Sequence, residues 1–533
     1  MHKMKLVKNI GLVLFLLGLA TFTSLVFTGD FKMTDEIMRS NLSESELLNL
    51  ETRLTSEVVG KNYSTSLSFG NDVVRIYNET NQQFRDAQQW DKVMYTAPKE
   101  FALKLAKAST GGWIPQHKSF LFFLTFGLGI LGSLMFVLAE LKLGGPAGIK
   151  NNGVYHSAAT NRGWIGISVF VFLVSFYILL YYFPFALTNV VGVVDPIKHL
   201  FNPDDSATQW FLYGFMYCTV MIVMGVRMII KYRHNNYQIV RTLVVVFFQV
   251  IFAFLLVEIL PLFDLPARDL KNAWPLDYTF LFEWNVTELL DSGHFGKFLF
   301  VWGIVLSLVV IPVMVYFYGK RWYCSWVCGC GGLAETLGDP YRQLSNKKLW
   351  AWKLERWMIH GVLVFAIIMT VFTGYLTYNV IQNPTMESKE YLFGFSAYDV
   401  RELYGFLIGS IFAGIIGTGF YPIFGNRTWC RFGCPLAAYM GLVQRFKSRF
   451  RITTNGGQCI SCGNCSTYCE QGIDVRAYAQ KGQNIVRSSC VGCGVCAAVC
   501  PRGVLKLENG PEANRFGNEG PIVLGNNGFE LNN

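Results

Sequence analysis

No cysteine occurs before Cys218, and thirteen of the fourteen cysteines lie after position 320. A disulfide scaffold distributes its cysteines through a short secreted chain, so this clustering argues instead for metal ligation in a reducing compartment. Charge is also scarce, at 15% of residues against the roughly 25% of soluble domains, while 52% are hydrophobic and 44 are Phe. Such a balance excludes an ordinary soluble domain and predicts several membrane-crossing helices. Nucleotide sites find little support: the glycine-rich residues 329–332 lack the Lys and Ser/Thr of a phosphate loop. Only seven histidines are present, and His360, one turn inside an apolar run, suits packing better than lone haem ligation. Thr110, Gly111 and Gly112 lack the flanking residues of a covalent flavin site. Neither haem nor flavin is expected.

What is present is apolar runs. Lys3, Lys5 and Lys8 precede a run over residues 10–27, which reads as an uncleaved anchor or a signal within segment 1–29. Seven more runs follow at 120–139, 164–183, 210–230, 243–263, 298–318, 357–378 and 404–424. Each is near the roughly 20 residues a helix needs to cross about 30 Å of hydrocarbon. Gly405, Gly409, Ala413 and Gly417 recur every four residues and predict a smooth helix face that a neighbour's backbone can approach.

Basic residues orient these runs. Lys231, Arg233 and Arg241 follow the fourth, Lys320, Arg321, Arg342, Lys347, Lys348, Lys353 and Arg356 the sixth, and Arg427, Arg431, Arg445, Lys447, Arg449 and Arg451 the eighth, with no acid before Glu470. Asp264, Asp269, Asp277, Glu283, Glu288 and Asp291 occupy the loop after the fifth run, and Glu387, Glu390, Asp399 and Glu402 the loop after the seventh. Lys and Arg accumulate on the cytoplasmic side, so both termini are expected there and residues 30–117 outside, in a bacterial inner membrane. The net charge of +10 then reflects topology, and nucleic acid is not an expected partner.

Residues 30–117 read as a small α+β exported domain. Residues 41–59 predict an amphipathic helix with Ser43 and Glu46 in capping-box spacing, residues 98–108 a second helix, and residues 66–77 a weakly alternating strand. Residues 118–450 form the transmembrane helical domain, 451–507 a ferredoxin domain and 508–533 a Gly/Asn-rich disordered tail. Glu258, an ionisable group in the fifth run, is a candidate proton or quinone site, although its place near the outer interface equally suits a solvated carboxyl.

Chemistry concentrates in the cysteines. Cys459, Cys462, Cys465 and Cys469, then Cys490, Cys493, Cys496 and Cys500, both read C-x2-C-x2-C-x3-C. Zinc sites do not need a third cysteine at two-residue spacing, whereas 4Fe-4S clusters do, with the fourth cysteine of each run serving the other cluster. Cross-ligation predicts Cys459, Cys462, Cys465 and Cys500 around one cluster and Cys490, Cys493, Cys496 and Cys469 around the second. Glu470 stands where the second run has Pro501, which alters the exit turn and removes no ligand.

Two further pairs sit at the inner mouths of the sixth and eighth runs: Cys324 with Cys328, and Cys430 with Cys434, each preceded by an Arg and an aromatic residue. The repetition predicts paired thiols on one side of a helical turn. Brought together, four thiolates suit a further iron-sulfur cluster or Cu(I), and the four cysteines also suit a role as small hydrophobes. Cys330 is an extra thiol. Cys218 reads as packing.

This conjunction resembles the membrane-bound 4Fe-4S polyferredoxins of the NapH, NosR and CcoG type, which accompany respiratory reductases and oxidase maturation. The resemblance covers roughly residues 298–504 and implies electron transfer between the quinone pool and a partner reached through the clusters, in a respiratory or maturation system. No nucleophile or general-base constellation is required, and quinol oxidation is the one enzymatic step it suggests. Gly329 departs from the proline expected after Cys328, and the flavin motif of the nitrous oxide type is missing. A copper-handling assembly factor and a membrane redox sensor are the alternative readings.

Overall fold

A computed structural model of the chain describes residues 2–89, 92–94, 96–144, 162–382, 391–455, 458–510, 522–525 and 528–531. The protein is mostly helical, and among the described residues eight helices are long and apolar enough to cross a membrane: His2–Phe27, Lys118–Leu143, Trp164–Tyr182, Gln209–Lys231, Asn236–Phe263, Gly293–Tyr318, Leu349–Gln382 and Ala397–Gly419. These spans are numbered in that order below. Most run past the apolar residues that predict them, because a helix continues until something stops it. The eighth stops early, at Gly419, and a short helix, Tyr421–Phe424, follows with Pro422 in its first turn.

The chain divides into two compact units, residues 1–144 with 172–223, and residues 145–171 with 224–533. In the first, the first and second spans pack backbone to backbone. A Cβ at Gly132 would lie 2.4 Å from Phe15 N and 2.6 Å from Gly11 O, and one at Gly18 would lie 2.6 Å from Thr125 O. Glycine is therefore required at this contact, and the Lys8–Glu140 ion pair closes its end. Beside it lies a domain of helices Asp35–Asn41, Glu44–Glu57, Ser66–Asp86 and Pro98–Ala108 with a three-stranded sheet ordered Asn62–Tyr63, Asp30–Lys32, Thr110–Gly111. Ser43 caps the second helix in a complete capping box with Glu46. The strand expected over residues 66–77 is instead part of a 21-residue helix. Thr65 caps it, and Phe69, Val73, Ile76, Tyr77 and Thr80 recur at helical spacing on one buried face, a period that outweighs the short alternation.

In the second unit the glycine face of the eighth span receives side chains rather than a helix backbone. Cβ atoms at Gly405 and Gly409 would meet the Tyr278 ring, and one at Gly417 would meet Phe412 O of its own span at 2.9 Å and then the Trp429 side chain at 3.2 Å. The ferredoxin region belongs to this same unit and is closed by antiparallel pairing of Arg451–Thr453 with Lys506–Glu508. Of the tail expected to be disordered, Glu508 ends the strand paired with Arg451 and Ile522–Gly525 pairs with Gly528–Leu531; residues 511–521, 526–527 and 532–533 lie outside the described residues.

Candidate iron-sulfur centres

Each ferredoxin run folds into the same local form, a loop carrying its first two cysteines and then one short helical turn that carries the third. Gly463 and Gly494 cap the turns Asn464–Thr467 and Val495–Ala498 with φ of 82° and 70°. At Gly494 a Cβ would also strike the Tyr237 ring at 2.9 Å, so both conformation and space require glycine there.

Folding brings the fourth cysteine of each run to the other run. Cys459, Cys462, Cys465 and Cys500 line one cavity, together with Ile460 and Leu505. On the other side, the thiols acting on Cys496 are, in decreasing order, Cys493, Cys490, Cys469 and then Cys465. The two groups are thus adjacent. Burial pushes Cys465 and Cys493 up to about 12 and Cys490 up to about 11. Thiols in such surroundings ionise only against a compensating cation, and a metal cluster supplies one. Among the described residues no three His, Cys, Asp or Glu side chains converge closely enough to hold a single metal ion. A cubane is larger than one ion, and its ligands stand correspondingly farther apart.

The mouth cysteines also come together. Cys324, Cys328, Cys430 and Cys434 are buried in one packed cluster with Trp322, Trp429 and Tyr404, and Cys330 packs against it. They do not lie along a single helical turn, as the spacing predicts. Cys324 ends the turn Arg321–Cys324 while Cys328 caps Gly329–Glu335; Cys430 lies in Trp429–Gly433 while Cys434 caps Pro435–Lys447. Gly329, at the position of Pro435, leaves this form unchanged. Burial raises Cys324 and Cys434 far above the ordinary thiol value, whereas a side-chain hydrogen bond with Cys330 holds Cys328 below it. Trp322 Nε1, Trp429 Nε1 and Tyr404 Oη are buried without a hydrogen-bond partner in this cluster. Unpaired buried donors are costly, and sulfide or thiolate acceptors would satisfy them. The donor set therefore fits an iron-sulfur cluster.

Between the two cysteine regions runs a buried ion network absent from the sequence expectations. Arg427 donates from Nε to Glu470 Oε1 at 2.9 Å and from Nη2 to Glu335 at 2.5 Å, and its Nη1 lies 3.7 Å from Cys430 Sγ. Glu470 also accepts from Arg342 Nη1 at 2.5 Å and Asn426 Nδ2 at 3.1 Å. Arg241 pairs with Glu335. Asp339 gathers Arg227 at 2.5 Å, Lys231 at 2.8 Å and Arg342 at 2.8 Å. Burial pushes the Glu470 carboxyl up, and Arg342, Arg427 and Arg241 more than offset it, leaving Glu470 ionised below the ordinary range. A clue to this residue lies in the sequence: Glu470 is the first acid in a long basic stretch.

Glu258 sits half-buried near the end of the fifth span. Gln249, in a π-wound part of that span, donates to Val327 O at 2.5 Å and so fixes the turn before Cys328.

Two families match these regions. The 4Fe-4S dicluster domain matches residues 451–501, and the 4Fe-4S binding domain matches residues 301–349 and 404–453, which contain the mouth cysteines. The chain is a relative of the membrane polyferredoxin-type proteins. YccM of Escherichia coli is 27% identical over 36% of this chain and 50% of its own length. The methylamine utilization ferredoxin-type protein MauN of Methylobacillus flagellatus is 26% identical over 31% and 54%. The ferredoxin-type protein NapH of Haemophilus influenzae is 25% identical over 32% and 56%. The chain spans about half the length of these curated relatives. No solved structure matches it. For a polyferredoxin relative, the two cysteine regions are where iron-sulfur clusters are to be sought.

Proposed function

We propose that this chain is a membrane-bound electron carrier that relays electrons between the quinone pool and a respiratory or maturation partner. The observation that carries the reading is the convergence of Cys500 on Cys459, Cys462 and Cys465, and of Cys469 on Cys490, Cys493 and Cys496. Each set of four would hold one 4Fe-4S cluster, and Cys324, Cys328, Cys430 and Cys434 a third. Bound clusters supply one-electron carriage at potentials set by charge, hydrogen bonding and exposure.

The chain's own residues do the rest. Buried apolar neighbours keep water from the thiolates, glycine turns bring backbone N–H groups close to them, and the ion network holds the mouth beside the second ferredoxin group. Basic loops support a cytoplasmic ferredoxin region and an exported domain at residues 30–117. In this reading Glu258 takes a proton as quinol is oxidised. Cu(I) at the mouth is the competing assignment, since four soft thiols suit it; the 4Fe-4S binding domain match at the mouth favours iron.

Iron and acid-labile sulfide per purified chain test the reading. About twelve iron atoms are expected from three clusters. Copper bound at the mouth with about eight iron atoms would establish the assembly-factor alternative, and a protein without iron would overturn both.

A further inference from the structure

Among the described residues of the second unit, buried Lys and Arg outnumber buried Asp and Glu eight to four. Uncompensated buried charge costs several kcal/mol per ion, so a surplus of this kind requires anions that the carboxylates do not provide. The surplus lies beside the cysteines. Arg241 pairs with Glu335 through Nη1 but has Nε and Nη2 without hydrogen-bond partners, Arg342 has Nη2 without one, and both act on Cys493, as Glu470 does with opposite sign. Arg427 reaches Cys430 Sγ. Glu470 joins the two regions: its carboxylate grips Arg427 and Arg342, its carbonyl accepts from Ser345 Oγ at 2.6 Å, and its chain neighbour is Cys469.

We propose that Arg427 and Glu470 are positioning residues that fix the mouth cysteines against the second ferredoxin group and, with Arg241 and Arg342 as counter-charge, set the potential of the cluster held there. This rests on the iron-sulfur reading above. A four-thiolate cubane is anionic, so a fixed positive charge beside it favours the reduced form and a fixed negative charge opposes it. The two residues touch each other yet act with opposite sign, which separates an electrostatic role from a merely structural one.

The test uses full-length protein in detergent, with iron content and EPR-monitored midpoint potentials in dithionite titration. Glu470→Gln is expected to raise the potential of the cluster of Cys490, Cys493, Cys496 and Cys469, and Arg427→Gln to lower it. Shifts of the same sign, or iron-loaded variants with unshifted potentials, overturn the proposal. If the neutral variants lose iron, Glu470→Asp and Arg427→Lys carry the test: they are expected to keep iron with near-parental potentials, and their losing iron as well assigns the pair a purely structural role. An iron-free parent protein overturns the electron-carrier reading itself, whereas an iron-loaded parent with same-sign shifts overturns only this proposal.

Discussion

Cys328 and Cys434 occupy equivalent places in two copies of one turn. Each is extended and caps a following helix, and each donates its backbone N–H to the carbonyl five residues back, Cys328 to Tyr323 O at 2.7 Å and Cys434 to Trp429 O at 2.9 Å. Two turns of the same form, with all four thiols buried in one cluster, make a pseudo-symmetric group of four cysteines. If the site holds a cluster, losing one ligand from either copy has the same effect. Cys328→Ser and Cys434→Ser are each expected to lower iron by about four atoms per chain while leaving the ferredoxin EPR signals in place. Iron analysis beside EPR checks this, and unequal losses would break the equivalence.

Cross-ligation makes a sharper prediction, because sequence distance and spatial distance disagree. Cys500 lies beside Cys496 in the chain and beside Cys459, Cys462 and Cys465 in space. Cys500→Ser and Cys459→Ser should therefore perturb the same EPR signal, and Cys469→Ser should perturb the signal changed by Cys490→Ser. A Cys500→Ser spectrum matching that of Cys490→Ser would show that each run wraps its own cluster.

Much of this arrangement can be read from the chain, for reasons that differ by region. The spans follow from apolar length, and Ser43 with Glu46 predicts a capping box because that motif is local. Both cysteine runs are legible because cubane chemistry dictates their spacing. The helix Ser66–Asp86 is less so, since its apolar residues satisfy a short alternation before the helical period emerges. The partners of glycine are not legible at all: Gly405 and Gly409 face Tyr278, delivered by a distant loop, while Gly11, Gly18 and Gly132 make the close helix contact. Glu335, Asp339 and Glu470 belong to the same class. Their roles depend on which arginines the fold gathers around them, and a count of loop charges averages them away.

The contact between the first two spans can be tested by volume. A side chain at Gly132 would collide with backbone atoms of Phe15 and Gly11, which cannot move aside, whereas Gly129 has nothing within 4 Å of an added Cβ. Gly132→Leu is expected to cost about 1–3 kcal/mol or more, and Gly129→Leu close to nothing. Apparent melting temperatures in detergent read the difference; equal behaviour of the two variants would rule out the close approach.

Asp339 offers a test by pH. Burial pushes its carboxyl up, but Lys231, Arg227 and Arg342 hold it well below the ordinary value, so it is ionised in the folded chain. A carboxyl with a depressed folded pKa stabilises the fold fully above its unfolded value, about 4, and loses that contribution as pH falls through the lower folded value. Asp339→Asn strands three cations around a neutral amide, which is expected to cost about 3–5 kcal/mol at pH 7. The quantity to measure is the stability difference between parent and variant, because acid loss of clusters is common to both and cancels. That difference is expected at pH 7 and should shrink as pH falls below about 4. A difference that grows on acidification, or none at neutral pH, would show that Asp339 does not neutralise this part of the network.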